Sequence, residues 1–143
     1  MSALEIRRAS GDDVTAIASL EAGIFPDAWG EEAVLSYINT TFVATLDGVL
    51  VAYLISNLIA PEGELYRIAV SEECRKMGIG KALLSYAISE LKALGLSDFY
   101  LEVREKNLPA RALYASLGFR ESGVRRGYYK NPDDNAVLMV CNL

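Results

Sequence analysis

An α/β fold, with a mixed and mostly antiparallel sheet flanked by helices in the order βααβββαβαββ, is the architecture this 143-residue chain predicts. Three observations lead there. Short segments that alternate apolar and polar residues interleave with segments whose apolar residues recur every three or four positions. A glycine-containing stretch, residues 75–80, joins an extended apolar run to the most regular helical pattern in the chain, as a right-handed strand–helix–strand crossover would. The length suits one domain, 1–143, and the 52% hydrophobic content is enough to fill its core without disulfides or metal.

Residues 4–8 read as a first strand. Ser10-Gly11-Asp12-Asp13 is a Ser-x-x-Asp capping pattern opening a helix to about residue 22, with Val14, Ile17 and Leu20 on its buried stripe. A loop carrying Phe25, Pro26 and Trp29 leads to a short helix over 31–38, then to strands over 41–46 and 49–56. Asp47-Gly48 between these strands signals a tight hairpin. A strand over 64–70 runs into the glycine loop and a helix over 78–94, where Ile79, Leu83, Ala87, Ile88, Leu91 and Leu94 keep helical spacing and Gly95 caps the end. Over 98–104, Phe99, Leu101 and Val103 point one way and Tyr100, Glu102 and Arg104 the other, so Glu102 leaves the apolar face. Asn107 caps a helix with Pro109 in its first turn, Ala110, Leu113 and Leu117 on its apolar side and Gly118 at its stop. Extended segments over 119–129 and 136–141, separated by the turn-rich 131–135, complete the order.

Composition removes whole classes of function. The chain has no histidine, which excludes serine–histidine triads and the commonest general base and metal ligand. Cys74 and Cys141 lie far apart and form no metal or redox pair, so no metal is expected. A net charge of −5 argues against direct nucleic-acid binding. No apolar run is long enough to span a membrane, and the opening Met1-Ser2-Ala3-Leu4-Glu5 lacks the order of a signal peptide, so a cytoplasmic location is expected.

The segment Arg75-Lys76-Met77-Gly78-Ile79-Gly80-Lys81 has the chemistry of an anion site. Glycines let the backbone approach a ligand, the amides and dipole of the following helix favour phosphate oxygens, and three cationic side chains converge there. A Walker loop fails because Arg75 stands at its first glycine position and Ala82 follows Lys81. A dinucleotide fingerprint fails because Leu83 takes the place of its third glycine.

The segment resembles instead the Gln/Arg-x-x-Gly-x-Gly/Ala pyrophosphate loop of the GCN5-related N-acetyltransferases, the GNAT superfamily. The element order is also theirs, over nearly the whole chain. Leu101-Glu102-Val103-Arg104, Asn107, Ala112-Leu113-Tyr114 and Leu117-Gly118-Phe119 are most similar to ribosomal-protein alanine N-acetyltransferases, as are Phe25-Pro26-x-x-Trp29 and Arg125-Arg126-Gly127-Tyr128-Tyr129. The resemblance implies a single N-acetyltransferase domain with acetyl-coenzyme A as cosubstrate. It implies coenzyme contacts from Ile68, Ala69 and Val70 through their backbone, from the 75–81 loop and from Asn107. Glu102 would be the general base and Tyr114 the acid, with Phe25, Trp29, Tyr128 and Tyr129 around the acceptor. The acceptor it implies is a protein N-terminal α-amine, that of a ribosomal protein. A lysine, polyamine or other small-amine acceptor would use the same base and acid, and a coenzyme sensor without turnover would need only the loop. The residues specify no oligomeric state.

Overall fold

The computed structural model describes residues 3–143; Met1 and Ser2, where the signal-peptide reading begins, lie outside them. Strands β1 (Leu4–Arg8), β2 (Thr41–Leu46), β3 (Val49–Ile59), β4 (Glu62–Val70), β5 (Asp98–Arg104), β6 (Arg120–Tyr129) and β7 (Asp134–Asn142) form one seven-stranded sheet in the order β1-β2-β3-β4-β5-β7-β6. Every neighbouring pair is antiparallel except β4 and β5. Those two strands are joined through helix α3 (Ile79–Ala93), as the glycine-loop crossover requires. The expected mixed, mostly antiparallel α/β architecture is the observed one, in the expected element order.

The two faces of the sheet are covered unequally. Helix α3 and helix α4 (Leu108–Ser116) bury one face, where Leu83, Ala87 and Leu91 meet Phe42, Leu54, Phe99 and Leu101. Helices α1 (Val14–Ile24) and α2 (Glu31–Ser36) cover the other face over β2, β3 and β4, packing Val14, Ile17 and Val34 against Val43, Tyr53 and Ile55. Residues of β5, β6 and β7 on that second face take no part in this core. A cleft opens there.

Local chemistry explains the boundaries. Asp47 and Gly48 both have positive φ, 52° and 83°, which the tight turn between β2 and β3 demands. The Ser10 amide donates to the Asp13 carboxylate at 2.8 Å, completing a reciprocal cap, and the Arg7 guanidinium clasps the same carboxylate at 2.8 and 2.9 Å. That pairing holds the Asp13 carboxyl below its ordinary pKa. Gly95, at φ 106°, ends α3 in a left-handed cap, with the Leu96 amide returning to the Leu91 carbonyl at 3.0 Å. The Asn107 side chain accepts from the Ala110 amide at 3.2 Å, capping α4.

The structure departs from the sequence expectation at element ends and in one buried stripe. The β3–β4 hairpin is longer than 49–56 and 64–70, reaching Ile59 and Glu62, because both strands continue pairing past the core through Asn57–Glu64 and Leu58–Gly63. Helix α2 stops at Ser36 and a 3-10 turn follows over Ile38–Thr40, since the Thr41 hydroxyl donates to the Tyr37 carbonyl at 2.8 Å and draws the chain into β2. The stripe of α1 runs through Val14, Ile17 and Glu21; Leu20 is only half-buried, and Glu21 is completely enclosed.

Candidate active site

The site follows from a separation of β4 and β5. They pair from Glu62–Asp98 to Leu65–Leu101, and then the pairing stops although both strands continue. The cause is a β-bulge. Ser56 on β3 faces Leu65 and Ile55 faces Arg67, so Tyr66 is an extra residue on β4 that bends the strand away from β5. Beyond the fork, β4 keeps its pairing to β3 through Ile68, Ala69 and Val70, while the edge of those residues that would face β5 has no strand partner. Such an edge can receive an extended ligand arm by backbone pairing.

Glu102 is the first residue of β5 beyond the last paired position, Leu101. Its side chain turns to the face that α1 and α2 leave bare, into a cleft of about 1100 Å³. Pro26, Asp27 and Trp29 from the α1–α2 loop form one wall; Ser122, Arg125, Tyr128 and Tyr129 of β6 form the other. Glu64, Tyr66 and Arg67 of β4 and Tyr100 and Arg104 of β5 line it between these walls. Arg125 lies 3.5 Å from the Glu102 carboxylate and stacks over Tyr128 at 5.0 Å. The Tyr128 hydroxyl is held above its ordinary pKa mainly by the nearby Glu102 charge; Tyr129, more enclosed, is pushed up to about 12 by burial and then by Glu102. Both phenols are therefore proton donors near neutral pH, facing a carboxylate that can accept.

An arginine steadies each wall. Arg104 lies 4.5 Å over the Tyr129 ring and donates to the Pro132 and Lys130 carbonyls at 2.7 and 3.1 Å, holding the β6–β7 turn. Arg67 does the corresponding work on the other side. It lies 4.1 Å over the Phe25 ring, donates to the Asp27 carbonyl and carboxylate at 3.1 Å each, and pairs with the buried Glu21 at 3.1 Å.

The 75–81 segment lies at the other end of β4. Lys76 and Gly78 have positive φ, 67° and 79°, and Gly78 leads directly into α3. The first-turn amides of Ile79, Gly80 and Lys81 have no intrahelical acceptor and point out of the helix start. Arg75 folds back so that its Nε donates to the Val70 carbonyl at 3.2 Å. The two glycines serve different ends. Gly78 supplies the left-handed turn, whereas a Cβ on Gly80 would meet Leu113 and Val70 at an ordinary 3.7 Å. That close approach brings the helix start, the open β4 edge and α4 together.

Among the expected site residues, Glu102, Trp29, Tyr128 and Tyr129 share the cleft. Phe25 lies under Arg67 rather than in the lining. Tyr114 stands behind the floor, 7% exposed, its ring 5.8 Å from Phe119, and burial followed by the neighbouring Tyr129 raises its hydroxyl well above the usual phenol range. Asn107 serves as the N-cap of α4 and is not among the residues lining the cleft. The sequence reading did not find Glu21, Tyr53, Tyr66 or Arg67. Glu21 had a signal: it falls four residues after Ile17, on the apolar stripe of α1, where an unpaired carboxylate would be intolerable. Tyr66 and Arg67 had none, because a bulge leaves no mark in strand alternation.

Residues 14–119 match the acetyltransferase (GNAT) family model, which spans most of the chain. The chain belongs to the GNAT acetyltransferase family. It is 38% identical over 126 residues to the [ribosomal protein bS18]-alanine N-acetyltransferase of Escherichia coli, covering 83% of this chain and 82% of that protein. The crystal structure of the ribosomal-protein-S18-alanine N-acetyltransferase from Escherichia coli superposes with a TM-score of 0.89 at 31% identity, covering 98% of this chain and 94% of that one. Arabidopsis thaliana Naa50 in complex with the bisubstrate analogue CoA-Ac-MVNAL shares the fold, with a TM-score of 0.87 at 18% identity over 98% of this chain and 99% of that one. The GNAT acetyltransferase described here thus has the ribosomal-protein alanine type of N-acetyltransferase among its relatives, and no helix among its described residues is long and apolar enough to cross a membrane.

Proposed function

We propose that this GNAT enzyme transfers the acetyl group of acetyl-coenzyme A directly to the N-terminal α-amine of a protein in the cytoplasm, the acceptor being a ribosomal protein. The observation that carries this reading is the position of Glu102: the first β5 residue past the fork, at the base of a cleft wide enough for a chain terminus. The names of its relatives supply the acceptor class, since the Escherichia coli enzyme is named for the alanine of ribosomal protein bS18.

The residues fit the coenzyme. The unpaired β4 edge at Ile68, Ala69 and Val70 matches an arm bearing amides, and the helix start with Arg75, Lys76 and Lys81 matches a diphosphate. The Glu102 side chain is 32% exposed, so it takes the amine proton directly or through one water. An α-amine with a pKa of about 8 needs far less help than a lysine at about 10.4, which suits a carboxylate base. Tyr114 keeps its proton throughout the working range and supports the departing thiolate as a hydrogen-bond donor.

The test is product localisation by mass spectrometry on a peptide carrying both a free N-terminal alanine and an internal lysine. Acetyl on the α-amine is expected. Acetyl on the lysine would retain the chemistry and overturn the acceptor.

A further inference from the structure

We propose that the Glu21–Arg67 pair is the positioning device of the acceptor side: it fixes the α1–α2 loop, residues 25–30, in the place where that loop can hold the acceptor, while coenzyme binding is independent of it. This rests on the reading above that the loop wall faces the acceptor.

Glu21 has no exposure at all, and its two oxygens serve three donors. Oε2 accepts from the Trp29 amide at 2.9 Å and from Arg67 Nε at 3.1 Å; Oε1 accepts from the buried Tyr53 hydroxyl. Through Arg67 the pair also holds the Asp27 carbonyl and carboxylate and lies over Phe25. One carboxylate and one guanidinium therefore set three residues of a loop that has neither helix nor strand to hold it. The Trp29 ring comes to rest 5.7 Å from both Tyr37 and Tyr66, facing the cleft.

Core stability alone does not call for such a pair, because packed apolar side chains of equal volume serve a core as well or better. Directional bonds do what apolar packing cannot, which is to define where a coil segment sits. Arg67 is also the residue next to the extra residue of the bulge. The backbone bend that frees the β4 edge for the coenzyme thus aims this guanidinium at the acceptor wall.

Trp29 is the sole tryptophan, so its fluorescence reports the loop without reference to activity. Arg67→Met, Glu21→Gln and the double variant are compared with the parent protein in acrylamide quenching of Trp29, in separate KM values for acceptor peptide and acetyl-coenzyme A, and in Tm. Arg67→Met leaves a buried carboxylate unpaired and lowers Tm; the double variant removes that charge and recovers most of it. We expect Trp29 quenching to rise about twofold or more and acceptor KM about tenfold in both Arg67→Met and the double variant, with acetyl-coenzyme A KM unchanged within about twofold. Should Arg67→Met fail to fold, Glu21→Gln and the double variant carry the comparison. Recovery of quenching and acceptor KM together with Tm in the double variant would reduce the pair to a structural element and overturn the proposal. An equal rise in both KM values would overturn it too. If the parent protein itself does not acetylate α-amines, the functional reading fails, while the quenching comparison still decides whether the pair holds the loop.

Discussion

Replacing Glu102 with glutamine tests its proposed role as general base by a change at one atom of the side-chain carboxylate. The side chain lies on β5, whose backbone at this position pairs with Leu138 of β7, and nothing in that pairing depends on the carboxylate. Its ion pair with Arg125, at 3.5 Å between side chains 55% and 32% exposed, is worth at most about 1 kcal/mol. Tm should therefore stay close to the parent value. Loss of a general base removes a factor of about 10² to 10⁴ in kcat/KM, or roughly 3 to 5 kcal/mol of barrier. The assay is thiol release at saturating acetyl-coenzyme A and varied acceptor peptide, accompanied by a thermal melt. The fall should lie mainly in kcat, with acetyl-coenzyme A KM unchanged. A variant that turns over at the parent rate would refute the role of Glu102, and a large drop in Tm would mean that the carboxylate is structural.

Three other expectations follow from particular contacts. Tyr114→Phe should lower kcat by about 10- to 100-fold, the loss of one donor, with little change in Tm; a variant that melts early would assign the phenol to packing against Phe119 instead. Gly78→Ala forces a side chain into φ 79° and should raise acetyl-coenzyme A KM by about 5- to 30-fold, whereas Gly80→Ala, whose Cβ has ordinary contacts, should leave it nearly unchanged; equal effects would contradict the division of labour between the two glycines. Stability should fall as pH rises from about 10 toward 12 and beyond. Tyr53 and Tyr114 are buried and Tyr129 is half-buried, and all three hold their protons more tightly in the folded chain than the unfolded value of about 10, so their contribution is complete below that pH and is lost above it. Denaturant midpoints at about pH 8 and 11, read with tyrosinate absorbance, check this; an unchanged midpoint would count against the burial of these phenols.

What the sequence disclosed and what it withheld have a common physical cause. Periodicity marked each strand and helix because burial on one face dictates it: Phe99, Leu101 and Val103 had to face α3, so Glu102 had to face away. Positive φ marked the turn at Asp47-Gly48 and the helix start at Gly78 because few residues accept it. The fork between β4 and β5 was invisible. It arises from a single extra residue, Tyr66, and depends on how β3 and β4 pair rather than on what either strand contains. The Glu21–Tyr53–Arg67 cluster was withheld likewise, since its members are 32 and 46 residues from Glu21 in the chain and meet only across the sheet face. Glu102 could be singled out from the sequence; the groups that surround it, and the gap in the sheet it guards, required the fold.

The central claim is direct acetyl transfer to a protein N-terminus, and it is tested most directly by thiol release from acetyl-coenzyme A with three acceptors in parallel: peptides with free N-terminal alanine or serine, the same peptides N-blocked and containing lysine, and a small polyamine. Turnover with the free N-termini alone is the predicted result. Turnover with blocked lysine peptides or polyamine alone would contradict the assigned acceptor, and coenzyme binding without turnover on any of them would contradict catalysis of this reaction.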